Sequence, residues 1–94
     1  MTVVGKKILV EFGRQHGDVR PALGAWTSEV EAAAWTGPQD VKARFPGASL
    51  VGEGRVVFNI KGNHYRLDVQ IDYVTQVVLV KRVGTHAEYN KWKF

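Results

Sequence analysis

The sequence predicts an α+β fold in which N-terminal helices pack on one face of a small, mainly antiparallel sheet. Three observations carry that prediction. Apolar residues recur at spacings of three and four up to about residue 46, the period of helices with one buried face. From Ala48 onward the period changes to two, as in strands covered by a second layer. Helices come first and strands after, an order that segregates the helices to one side of a meander. A chain of 94 residues is too short to divide. Residues 1–94 therefore read as one unit: a helical part over about 5–46, a strand meander over about 48–84, and a short turn or helix over 85–94.

Taken in order, Val3-Val4 forms a short strand. Ile8, Leu9 and Phe12 then mark an amphipathic helix from Lys6 to about His16, ending near Gly17. Gly13 inside it costs about 1 kcal/mol relative to Ala and weakens its end. Asp18 is placed as the N-cap of a second helix with Pro21 in its first turn. Leu23, Trp26, Val30 and Ala33 line that helix's inner face, which makes Trp26 and Trp35 packing residues rather than platforms for nucleobases. Thr36-Gly37-Pro38 opens a third, short helix that Pro46 stops, with Val41 and Phe45 one turn apart.

In the meander, Val56, Phe58 and Ile60 share one strand face, and Val57, Asn59 and Lys61 the other. Gly62-Asn63 has the composition of a two-residue hairpin turn. The return strand puts Tyr65, Leu67, Val69 and Ile71 on one side and Arg66, Asp68 and Gln70 on the opposite one. After a turn near residues 72–75, Gln76 to Val83 is apolar on both sides, which suits a central strand. With helices over Phe58, Ile60, Leu67 and Val69, the opposite face presents Asn59, Lys61 and Arg66 together. Such a face is a cradle for an RNA strand; it is equally the surface of any solvated sheet.

Composition narrows the chemistry. Zero Cys excludes disulfides, thiolate nucleophiles and the common zinc frameworks. No apolar run approaches the roughly 20 residues of a membrane span, and the N-terminus lacks a signal-peptide apolar core, so a cytoplasmic protein with no membrane partner is expected. Residues 1–54 hold six basic and six acidic groups, whereas residues 55–94 hold seven against three. The whole formal charge of +4 thus sits on the strands and tail. A basic half beside a neutral one is the footprint of a polyphosphate binder, and also of ordinary solubility charge.

RNA carries its own nucleophile, the 2′-hydroxyl. A ribonuclease without a metal needs a group to take that proton, positive charge for the phosphorane and a donor for the leaving 5′-oxygen. His64, His86, Lys61, Arg66, Lys81, Lys91 and Tyr89 all fall in the basic half. Each has a plain alternative. His86 follows a strand end, where functional and solvent-exposed residues are both common, and His64 sits beside the hairpin. Tyr89 is either a core anchor or a stacking and proton-donor group. Arg66 binds a phosphate or pairs with Asp68 or Asp72. Thr85 and Glu88 fit a capping box, so the segment also reads as the start of a short helix. No metal-ligand spacing occurs, and neither metal nor cofactor is expected.

Two blocks, Gly54-Arg55-Val56-Val57-Phe58-Asn59-Ile60 and Gly84-Thr85-His86-Ala87-Glu88-Tyr89, resemble the HigB family of bacterial toxins within the RelE-like group. Asp40-Val41-Lys42 and Phe45-Pro46 also fit. The likeness covers most of the chain and is strongest over residues 52–91. It implies a RelE-like fold and an endoribonuclease that cleaves mRNA on translating ribosomes. The implied partner is a HigA-like helix-turn-helix antitoxin, through which alone operator DNA would be contacted. The resemblance implies catalytic roles for Arg66, His86 and Tyr89, with Lys61, Asn63, Lys81, Arg82 and Lys91 binding RNA. Two departures stand out: Lys81-Arg82 replaces an Arg followed by an apolar residue, and the tail stops at Trp92-Lys93-Phe94 where relatives often continue. The second departure bears on the length of any terminal helix; the first leaves room for a different reading, a non-catalytic RNA- or ribosome-binding module. A third is a protein-interaction domain whose basic face docks an acidic partner.

Overall fold

The computed structural model describes residues 1–94. Strand β1 (Thr2–Val4) leads into helix α1 (Lys6–Gln15), a 3-10 turn (Gly17–Val19), helix α2 (Arg20–Ala32) and helix α3 (Pro38–Arg44). Strands β2 (Ser49–Gly52), β3 (Arg55–Ile60), β4 (Tyr65–Asp72) and β5 (Val77–Thr85) follow, and helix α4 (His86–Tyr89) comes last. The five strands form one sheet in the order β1-β5-β4-β3-β2. Strand β1 runs parallel to β5, and the other three pairings are antiparallel. This is the predicted α+β architecture.

The core sits between α1–α3 and the sheet. Leu23, Trp26, Val30 and Val41 pack there with Phe58, Leu67, Val69 and Val78, all buried. Phe58 is the hub: the rings of Trp26, Phe45 and Trp35 lie 5.4, 5.1 and 6.4 Å from its own. Aromatic pairs in this range add about 0.5–1.5 kcal/mol each beyond their buried area. Trp26 of α2 and Trp35 of the α2–α3 connection are therefore core, as the sequence indicates.

Four details differ from the sequence reading. Asp18 does not cap α2, whose N-cap is Val19. Its carboxylate accepts instead from Lys61 Nζ at 2.8 Å and Tyr65 Oη at 2.9 Å, tying the hairpin to the helical layer. The hairpin loop spans four residues, since Ile60 pairs with Tyr65, and positive φ falls on Lys61 and Gly62 rather than on Gly62-Asn63. Strand β5 is interior to the sheet as expected, between β1 and β4, but the strand buried on both sides is β4; Leu79 of β5 is exposed. Finally, Asp68 pairs with Arg82 and Val69 with Val80, so Lys81 is left unmatched in a bulge. An extra residue of this kind bends the strand and re-aims its neighbours. The Lys81-Arg82 doublet thus sits at an irregularity of β5.

Candidate nucleic-acid interface

The face of the sheet away from α1–α3 is built around one carboxylate. Asp68 stands in the middle of β4 and is fully buried. Arg55 of β3 grips it with two hydrogen bonds, Nε to Oδ1 at 3.0 Å and Nη2 to Oδ2 at 2.5 Å. Arg82 of β5 donates Nε to Oδ2 at 2.8 Å. The fork geometry of guanidinium and carboxylate makes such contacts strong and directional. The hydrogen bonds to Asp68 hold the Arg55 guanidinium more firmly protonated than usual. Two cations share one anion, which leaves positive charge facing outward.

Arg66 lies one pleat along β4, between Asn59 of β3 and Gly84 of β5. It is 8% exposed. Its bonds within the chain run from Nη1 to the carbonyls of Asn63 at 3.0 Å and Tyr65 at 3.2 Å. It does not pair with Asp68 or Asp72. The Nε and Nη2 donors have no hydrogen-bond partner within the chain.

The C-terminal segment returns over these arginines. Helix α4 opens with the predicted capping box: Thr85 Oγ1 accepts from the Glu88 N–H, and the Glu88 carboxylate accepts from the Thr85 N–H at 2.9 Å. That second bond holds the Glu88 carboxyl below its ordinary range. Beyond the cap, Tyr89 stacks over Arg66 with guanidinium carbon and ring centre 5.2 Å apart. Trp92 covers Arg82 at 4.4 Å, and Phe94 lies 5.2 and 5.3 Å from Arg82 and Arg55. Gly84 permits the return, because a Cβ there would sit 2.9 Å from the Trp92 ring and 3.2 Å from Glu88 Cβ. Each contact is a cation–π pair worth about 0.5–2 kcal/mol.

Of the residues singled out in the sequence, Arg66, Arg82, His86 and Tyr89 come together. The rings of His86 and Tyr89 are 6.3 Å apart. His86 is exposed, and its backbone N–H donates to the His64 backbone carbonyl at 3.0 Å, which joins the hairpin to α4. Lys81 and Lys91 are exposed. Asn63 contributes its carbonyl to Arg66. Lys61 does not lie on this face: it belongs to the loop and pairs with Asp18 beside Tyr65, on the helix side. The expected trio of Asn59, Lys61 and Arg66 is therefore not assembled, and Asn59 binds the Gly47 carbonyl instead. No three His, Asp or Glu side chains stand close enough together to hold a metal ion.

Sequence reasoning placed Asp68 on this face only as a possible partner of Arg66, and missed Arg55, Trp92 and Phe94 as parts of it. The available signal was the outward phase that Asp68 shares with Arg66 and Gln70 on β4, with arginines on both neighbouring strands. Strand register was needed to turn that into contact.

A family model described as the HigB toxin, the RelE-like toxic component of a toxin–antitoxin system, matches residues 19–92. No curated protein matches the chain. The match spans every residue of the arginine–aromatic face except Phe94.

Proposed function

The chain belongs to the HigB toxin family, RelE-like toxic components of toxin–antitoxin systems, and on that premise we propose that it is an endoribonuclease cleaving mRNA on translating ribosomes. The observation that carries this reading is the arginine–aromatic face: Arg55, Arg66 and Arg82 on one side of the sheet, each beneath a ring from residues 89–94. Cationic guanidinium groups bind phosphates, and rings beside them stack bases without regard to sequence. A single-stranded RNA is the ligand that uses both.

In the cleavage we propose, the 2′-oxygen loses its proton to a base and attacks the adjacent phosphorus. The P–O5′ bond breaks, and the departing oxygen takes up a proton, giving a cyclic phosphate and a 5′-hydroxyl. Arg66 supplies charge to the phosphorane, helped by Arg82. His86 and Tyr89, on the same short helix, serve proton transfer or stacking. Lys81 and Lys91 hold the flanking backbone. Asn63 orients Arg66 through its carbonyl, whereas Lys61, paired with Asp18 on the helix side, takes no part. The family implies an antitoxin partner; that it is a HigA-like protein binding operator DNA belongs to this proposal, as does a cytoplasmic site of action. No helix is long and apolar enough to cross a membrane.

The closure of Arg66 beneath Tyr89 favours one other reading, a non-catalytic ribosome- or RNA-binding module. The two are separated by adding the protein to a translating extract and mapping new mRNA 5′ ends by primer extension, with and without a translation inhibitor. Cleavage predicts discrete ends that require translation and fall about 10²-fold or more with Arg66→Ala, the loss typical of a transition-state donor. Intact mRNA from a folded, ribosome-bound protein would establish the binding module.

A further inference from the structure

Helices α1 and α2 leave a groove of about 490 Å³ on the helical side of the molecule. Its floor is aliphatic, formed by Leu9 and Leu23 with Val10, which is 55% exposed. Its charged lining is entirely cationic: Lys6, Arg14 and Arg20. Arg14 has no carboxylate partner within the chain, whereas Lys6 is paired with Glu31. Gly24 supplies a second, independent sign. It lies mid-helix in α2 and lines the groove, yet a Cβ built on it meets nothing within 4 Å. Glycine at such a position costs about 1 kcal/mol relative to alanine, and the isolated chain gives no steric reason for it. By contrast, the Gly13 position is filled by the Arg20 side chain, where a Cβ would sit 2.9 Å from Cγ.

We infer that this groove is the docking surface for one amphipathic helix of the antitoxin, with aliphatic side chains seated on Leu9, Val10 and Leu23 and carboxylates facing Arg14 and Arg20. This rests on the family's toxin–antitoxin identity rather than on the ribonuclease reading. Helix-in-groove recognition uses an apolar stripe flanked by complementary charge, and the missing Gly24 side chain lets the partner's backbone come close. An RNA strand is the poorer fit, because no aromatic ring lines the groove to stack a base.

The test is calorimetric titration of the purified chain with the antitoxin encoded beside it. Gly24→Leu should weaken binding at least about tenfold while leaving the melting temperature unchanged or higher, since leucine is the better helix former. Arg14→Glu, at an exposed position, should weaken binding and flatten its salt dependence. Lys81→Glu, on the opposite face, should leave affinity unchanged. Wild-type affinity in both groove variants would overturn the inference. So would a groove variant that alters self-association of the chain, seen by sedimentation, without altering antitoxin binding. Because binding is read directly, neither result depends on whether the chain cleaves RNA.

Discussion

Replacing Asp68 with asparagine tests the central contact of the candidate face. The carboxylate is fully buried and accepts three hydrogen bonds from two arginines. Removing one partner of a buried ion pair typically costs about 3–5 kcal/mol, because the remaining charges lose their compensation. Here the arginine side chains are 25% and 34% exposed, so water screens part of that loss. The expectation falls to about 2–3 kcal/mol. For a domain of this length each kcal/mol shifts the midpoint by about 4–8 °C, so Asp68→Asn should melt roughly 10–20 °C below the parent. Circular dichroism melts at neutral pH and low salt read this directly. A triple variant, Arg55→Met/Asp68→Leu/Arg82→Met, should recover most of the loss, since apolar replacement of a whole buried cluster is often neutral or stabilising. A melt of Asp68→Asn within about 3 °C of the parent would refute the reasoning. It would show that Asp68 positions the arginines without stabilising the sheet.

Two further outcomes follow from the same face. Gly84→Val should displace the returning tail, since its side chain would occupy the space of the Trp92 ring; overpacking of this kind costs about 1–3 kcal/mol. Trp26 and Trp35 stay buried in the core, so a red-shifted fluorescence component should belong to Trp92 alone, and an unshifted spectrum would place the ring off Gly84. The Glu88 carboxyl is held below its ordinary range by the Thr85 N–H, so its stabilising effect is complete above the unfolded pKa. It is lost as pH falls through the lower folded value. Glu88→Gln should therefore melt below the parent at neutral pH, with the gap closing below about pH 4; a gap independent of pH would remove the carboxylate from the cap.

Much of the architecture was legible because local periodicity carries it. The helical spacing of Leu23, Trp26 and Val30 and the alternation of Tyr65, Leu67, Val69 and Ile71 each specify a face, and all seven residues are buried. The Thr85–Glu88 cap was legible for the same reason, being written within four residues. Asp18 was misplaced because a capping residue and a long-range carboxylate look alike in sequence; its partners Lys61 and Tyr65 lie 43 and 47 residues away. The Gly62-Asn63 turn failed on loop length, which depends on where the ladder stops.

By itself the sequence determined the order of helices and strands, which residues enter the core, and a family likeness concentrated in two short motifs. Only the tertiary structure decided what the basic half of the chain does with its charge. Register across three strands brings Arg55 and Arg82 onto Asp68, the bulge at Lys81 sets the phase of Arg82, and the returning tail lays Tyr89, Trp92 and Phe94 over the arginines. The physical reason is one of range. Backbone propensity and amphipathic period act within a few residues, whereas ion pairs and ring stacking depend on distances that only the assembled sheet defines.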